Sequence, residues 1–247
     1  MSYFYAIGGA NYDKKESLDI DLDFLKESSE SNPTILLVTA ANNDDINKIN
    51  TFKNYFNELG ANVILLTSNI TNSIEIDDLI KKSDIIYLAG GITSRLYEYA
   101  IKTNLKVKLI ESYSQGKIIV GVSAGAIILF DYGYGDKDAF TYNLETTNHK
   151  ITKGLGIFEG VFCPHYQNNG LLEFHEEIKN FNLNGYALEN GAALKISDDG
   201  FTLIKQRGSS AFMFDKNDNH KLIYLNTNDK YDFINLKKKF AFSLSIK

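Results

Sequence analysis

The chain has 247 residues, 44% of them hydrophobic and 23% charged, with a formal net charge of −5. A chain of this size and composition can fold without disulfides or metal, and its acidic balance argues against a general nucleic-acid binder, which presents a basic face. A single cysteine, Cys163, excludes an intrachain disulfide and a cysteine-rich zinc site. No run approaches the ~20 apolar residues of a membrane span, and Met1–Ile7 shows no basic segment leading into a signal core. The expectation is one cytoplasmic domain over residues 1–247, needing no cofactor, metal, nucleic acid or membrane.

In chain order, short apolar runs alternate with amphipathic stretches through residue 125. The runs Tyr3–Ile7, Thr34–Thr39, Asn62–Thr67, Asp84–Leu88 and Lys117–Val122 are rich in Ile, Val, Leu and Tyr, as strands buried on both faces should be. Between them, Asp44–Leu59 carries Ile46, Ile49, Phe52, Tyr55, Phe56 and Leu59 on one helical stripe, with Gly60 as its stop. Asp13–Ser28 predicts a second helix through Leu18, Leu22 and Leu25, and Ser94–Thr103 and Leu105–Ser114 two more. Such alternation predicts an α/β fold, a mainly parallel sheet flanked by helices.

After Gly125 the pattern changes. Asp131–Leu144, dense in Gly, Asp and Tyr, predicts a long loop. Ile157–Phe162 predicts a strand running into Pro164-His165, and Asn169–Phe181 a helix. The remainder predicts short β segments at Gly185–Glu189, Ala192–Ile196, Phe201–Lys205, Ala211–Phe214 and Leu222–Asn226, separated by turn signals. Lys237–Lys239 is expected on a solvated face, before the alternating tail Phe240–Ile246. The β-rich part after residue 205 either caps the sheet or forms a subunit contact, which leaves a homodimer open.

The stretch richest in chemistry is Gly121-Val122-Ser123-Ala124-Gly125, entered by an apolar strand and followed by an expected helix. A nucleophile elbow needs that context: small residues two before and two after let the backbone fold tightly, and the serine hydroxyl stands above the sheet edge. The same five residues could also form a Gly-rich turn with serine as a helix cap. A serine nucleophile needs a base. Of four histidines, His149, His175 and His220 lie in polar or helical surroundings, whereas His165 follows the strand Val161-Phe162-Cys163 and Pro164. Strand ends are where open α/β sheets keep their sites. The base in turn needs an orienting group, and Glu189, ending an apolar strand, and Asp138, fifteen residues beyond Ser123, are the two candidates. Gly90-Gly91 closes another strand and can present backbone N–H groups to an anion. Gly91 and Ala124 are the candidate oxyanion donors.

Together these residues resemble the peptidase E and cyanophycinase family of serine peptidases. The likeness lies in the elbow from Gly121 to Ala126, in Gly90-Gly91-x-Thr93-x-x-Leu96, in Cys163-Pro164-His165-Tyr166 and in Leu188-Glu189-Asn190, and covers most of residues 3–205. It implies a fold like that of class I glutamine amidotransferases (flavodoxin-like), with Ser123 as nucleophile and His165 as base. By position Glu189 resembles the acid of the cyanophycinase branch and Asp138 that of the peptidase E branch; Glu189 is preferred. Ile92 stands where the family usually carries Asn or Asp. Familiar members prefer aspartyl substrates, and an acidic side chain is best met by arginine. The chain has only Arg95 and Arg207, and Arg95 opens the helix after Gly90-Gly91.

The expectation is therefore a serine peptidase acting on small peptides; the aspartyl preference that the resemblance implies is not secured by these residues and stays open. The alternatives are an esterase or amidase on the same triad, which the machinery alone does not distinguish, and a non-catalytic protein that keeps the elbow as a ligand site. Nucleotide binding is disfavoured: no Gly-x-Gly-x-x-Gly follows a strand and no Walker-type loop occurs.

Overall fold

The structure is a computed structural model and describes residues 2–136, 149–167 and 171–232. The five apolar runs of the first half form strands β1 (Phe4–Ile7), β2 (Thr34–Val38), β3 (Asn62–Leu66), β4 (Ile85–Leu88) and β5 (Ile118–Val122). They are mutually parallel, side by side in the order β1-β5-β4-β2-β3. The crossovers carry helices α1 (Leu18–Glu27), α2 (Ile46–Glu58), α3 (Ser73–Lys81), α4 (Thr93–Lys102) and α5 (Leu105–Ser114). After β5 come the four-residue α6 (Ala124–Ile127), then β6 (Phe130–Asp136), β7 (His149–Lys153), β8 (Phe158–Cys163) and α7 (Leu171–Ile178). The chain continues through β9 (Gly185–Leu188), β10 (Ala192–Ser197), β11 (Gly200–Lys205), β12 (Ala211–Asp215), β13 (Lys221–Tyr224) and β14 (Lys230–Tyr231).

These strands make two sheets. The first extends the parallel set past β1 through the antiparallel β10, β11 and β14. The second has the order β13-β12-β9-β8-β6-β7, with β6, β8 and β9 parallel. Strand alternation sends Tyr5 and Ile7 to one face of the first sheet, against Ile20 and Phe24 of α1 and Phe52 and Phe56 of α2. Phe4 and Ala6 face the other way, into a core shared with Phe130, Phe158, Phe162 and Tyr186 of the second sheet. On the second sheet's far side α7 lays Phe174 and Ile178 over Val161, Cys163 and Phe214.

Several sequence expectations change. The predicted loop from Asp131 begins as strand β6: Phe130 and Tyr134 bury their rings, and Ile127 packs directly against Gly133, which obscured the strand pattern. The helix expected from Asp13 starts only at Leu18, and its inner face is Ile20, Asp21 and Phe24, with Leu22 exposed. Ile46, the first member of the α2 stripe, is also exposed. Asp138, Asn169, the lysine run at Lys237–Lys239 and the tail Phe240–Ile246 lie outside the described residues. No helix among the described residues is long and apolar enough to cross a membrane.

The polar residue inside the α1 stripe has a structural cause. Asp21 is completely buried, and one carboxylate oxygen accepts from Ser17 Oγ at 2.7 Å and from Tyr55 OH at 2.8 Å. Its other oxygen meets no partner among the described residues. Burial pushes this carboxyl up from 3.8 to about 7. The folded chain therefore holds a proton at Asp21 that the unfolded chain releases above about pH 4. This group's contribution to stability falls as pH rises from about 4 to about 7, and is constant above. Thermal unfolding at pH 5 and pH 8 should accordingly lose more Tm in the wild type than in Asp21→Asn, which cannot ionise. Parallel losses in the two proteins would contradict the assignment.

Candidate active site

The described strands β1, β4, β5, β8 and β9 all point their C-terminal ends at one place, the edge where parallel sheets gather their sites. From β5 the chain turns sharply at Ser123, whose φ of 53° and ψ of −113° a non-glycine residue holds only under constraint. The constraint is packing. A side chain at Gly121 would strike the backbone of Gly125, and one at Gly125 would strike the carbonyl of Leu88 on β4. Ser123 N–H also donates to Ile7 O of β1 at 3.0 Å. The Ser123 hydroxyl is thereby held above the sheet edge, half-buried.

His165 comes from the second sheet. It follows β8 and Pro164 in another left-handed turn, φ 51°, and its N–H donates to Gly8 O at 3.1 Å. The imidazole Nε2 lies 2.9 Å from Ser123 Oγ. The other ring nitrogen, Nδ1, lies 2.6 Å from Asn190 Oδ1. Asn190 Nδ2 in turn donates to Glu16 Oε2 at 3.2 Å, in the loop between β1 and α1. Gly9 makes room for this row, since a methyl there would collide with Asn190 Oδ1 and the His165 ring.

Of the four residues brought together in this row, Ser123 and His165 have roles proposed from the sequence, and Asn190 and Glu16 have none. Glu189, the preferred orienting acid, has a different partner: its carboxylate accepts from Ser210 N–H at 2.8 Å, and its own N–H donates to Ser210 O at 3.1 Å. It ties the turn after β9 to the chain entering β12, while its neighbour Asn190 reaches the imidazole. Asp138, the other candidate acid, is outside the described residues. Consecutive residues at a strand end point in opposite directions, so Glu189 meets Ser210 while Asn190 meets the imidazole; nothing in the sequence marks Glu16.

A cleft of about 440 Å³ opens over Ser123 and His165. Its lining includes Gly90, Gly91 and Val122, Asn11, Tyr12 and Asp13 of the β1–α1 loop, and Asn42, Asn47 and Lys48. The N–H groups of Gly91 and Ala124 meet no acceptor among the described residues. Thr93 and Arg95, singled out from the sequence, do not line the cleft; Thr93 is buried in the first turn of α4. The cation at the rim is instead Lys48, where Asp45 caps α2 by accepting from the N–H groups of Asn47 and Lys48. Its ammonium meets no carboxylate among the described residues. His220 is buried with Nε2 on Leu183 O at 3.0 Å, away from the cleft. Among the described residues no three His, Cys, Asp or Glu side chains gather as a metal site.

Comparison with known proteins agrees with this architecture. The family model for peptidase family S51 matches residues 4–204. An uncharacterized peptidase of Bacillus subtilis (strain 168), YgaJ, is 30% identical over 218 residues, covering 86% of this chain and 91% of that protein. An uncharacterized peptidase of Pasteurella multocida (strain Pm70), PM1590, is 28% identical over 164 residues, covering 65% of this chain and 77% of its own. The crystal structure of a peptidase from an acI-B1 Actinobacterium superposes with a TM-score of 0.71 at 17% identity, covering 94% of this chain and 97% of the other, and so shares the fold. The chain thus belongs to peptidase family S51, the peptidase E and cyanophycinase family, and is a hydrolase of the serine-peptidase type.

Proposed function

We propose that the protein hydrolyses small peptides with Ser123 as nucleophile, His165 as general base and Asn190 as the group that orients the imidazole. The observation that carries this reading is the 2.9 Å contact between His165 Nε2 and Ser123 Oγ on the floor of the cleft. In the attack, Nε2 takes the hydroxyl proton as Oγ bonds to the substrate carbonyl carbon. The carbonyl oxygen becomes an anion, which the unpartnered N–H groups of Gly91 and Ala124 are suited to hold. The imidazolium then returns its proton to the departing amine as the carbon–nitrogen bond breaks, leaving an acyl-serine. Water repeats the sequence, with His165 again taking and returning a proton, and Ser123 is regenerated. A cleft of about 440 Å³ accommodates a few residues, which favours short peptides.

Replacing Ser123 with Ala should lower peptide turnover by several orders of magnitude, with the circular dichroism spectrum unchanged. A fluorophosphonate probe should form an adduct on Ser123 that is lost in His165→Ala. Retained activity in the serine variant, or labelling indifferent to the histidine, would refute the assignment.

An aspartyl preference rests on Lys48 in this reading, because Arg95 stands outside the cleft. Lys48 is exposed, so its attraction for a substrate carboxylate is modest, about fivefold at low salt. With aspartyl and alanyl p-nitroanilides, Lys48→Ala should raise KM for the aspartyl substrate only, and added salt should erase the difference. Equal changes for both substrates would remove Lys48 from recognition.

A further inference from the structure

An asparagine beside a catalytic histidine raises a problem that the surrounding residues answer. The amide has an accepting end and a donating end. With Oδ1 toward the ring, Nδ1 carries the proton and Nε2 presents its lone pair to Ser123. With the amide reversed, Nδ2 would donate to Nδ1, the proton would reside on Nε2, and the imidazole could not act as a base. An amide in place of the acid of a Ser-His-Asp triad lowers turnover about 10⁴-fold through this wrong tautomer. Some feature of the site must therefore forbid the reversed amide.

Glu16 is that feature. Its carboxylate only accepts, and it lies 3.2 Å from Asn190 Nδ2, at the end of the amide opposite the imidazole. The backbone around the amide is fixed as well. Asn190 N–H donates to Gln167 Oε1 at 3.2 Å, and Asn190 O accepts from Ser209 Oγ at 2.7 Å. Glu16 is fixed from its own side: its N–H donates to Asn11 O at 3.1 Å, and Gly191 packs against its carbonyl. The side-chain amide is thus left one rotation, and the charge of Glu16 decides it.

We infer that Glu16 is a positioning residue that acts through Asn190, holding the amide oxygen toward His165 and thereby selecting the imidazole tautomer that can deprotonate Ser123. This rests on the reading of Ser123 and His165 as nucleophile and base. It adds a residue from the β1–α1 loop, remote in sequence from the elbow, to the determinants of the reaction.

The test is a double-mutant cycle read as the second-order rate of fluorophosphonate labelling at Ser123, with kcat and KM on the aspartyl p-nitroanilide alongside. In the Asn190 protein, Glu16→Ala should slow labelling about ten- to hundredfold, the worth of one hydrogen bond to a charged group, with the loss in kcat rather than KM. Asn190→Asp reverses the sign. A carboxylate accepts from Nδ1–H whichever way it turns, but beside Glu16 two carboxylates compete for one charge. Adding Glu16→Ala to Asn190→Asp should therefore raise the labelling rate. A loss in both backgrounds would mean that Glu16 only braces the loop and would overturn the inference, as would an unchanged rate in Glu16→Ala. Absence of any Ser123 adduct in the wild type, under conditions that label a known serine hydrolase, would instead overturn the reading of the site on which the inference rests.

Discussion

The turn at Ser123 is the constraint on which the rest of the site depends. A serine at φ 53° and ψ −113° is disfavoured, and it persists because β1 and β4 flank β5 and leave the elbow no other path. Gly125 lies against the Leu88 carbonyl, and the Ser123 N–H is taken by Ile7. Once the hydroxyl is fixed in this way, every other group of the site can be described by how it is brought to that point. The parallel half of the first sheet supplies Ser123, the nucleophile proposed above, and the glycine turn at Gly90-Gly91. The second sheet supplies the histidine and its amide partner.

Joining the two sheets is consequently what brings His165 within 2.9 Å of Ser123. His165 leaves β8 and is caught by Gly8 at the end of β1. Asn190 leaves β9, and Gly191 N–H donates to Gly9 O at 2.9 Å. The β1 end thus receives both elements, and the apolar core beneath it, with Phe4, Phe130, Phe158 and Tyr186, keeps the sheets in register. Gly9 has no side chain where the imidazole and the amide meet. Work at the site is divided between adjacent residues: Glu189 secures the turn through Ser210, and Asn190 faces the ring.

Much of this was legible from residues alone. The five parallel strands followed from apolar runs that tolerate burial on both faces, and the elbow followed from small residues at the right spacing between strand and helix. The Pro164-His165 step after an apolar strand singled out the histidine whose ring lies 2.9 Å from Ser123 Oγ. What escaped has physical reasons. Asp21 interrupts the apolar stripe of α1 because its carboxyl is buried among hydroxyls, so the inner face runs through Ile20, Asp21 and Phe24 rather than the leucines. Strand β6 was hidden by glycines that exist to admit Ile127. The partner of His165 was assigned to Glu189 on charge, whereas the direction of each side chain at a strand end depends on a one-residue register. Glu16 and Lys48 sit in a loop and at a helix start whose approach to the cleft is set by tertiary packing alone.

The tautomer of His165 is the quantity on which the proposed mechanism turns. Two-bond nitrogen–proton correlation spectra of protein carrying ring-labelled histidine would read it directly, at a pH where the imidazole is neutral, with His165→Gln used to assign the signal. The hydrogen bonds to Asn190 and Ser123 require the proton on Nδ1 and a lone pair on Nε2 in the resting protein. A proton on Nε2 would contradict both the assignment of His165 as base and the role given to the Asn190 amide.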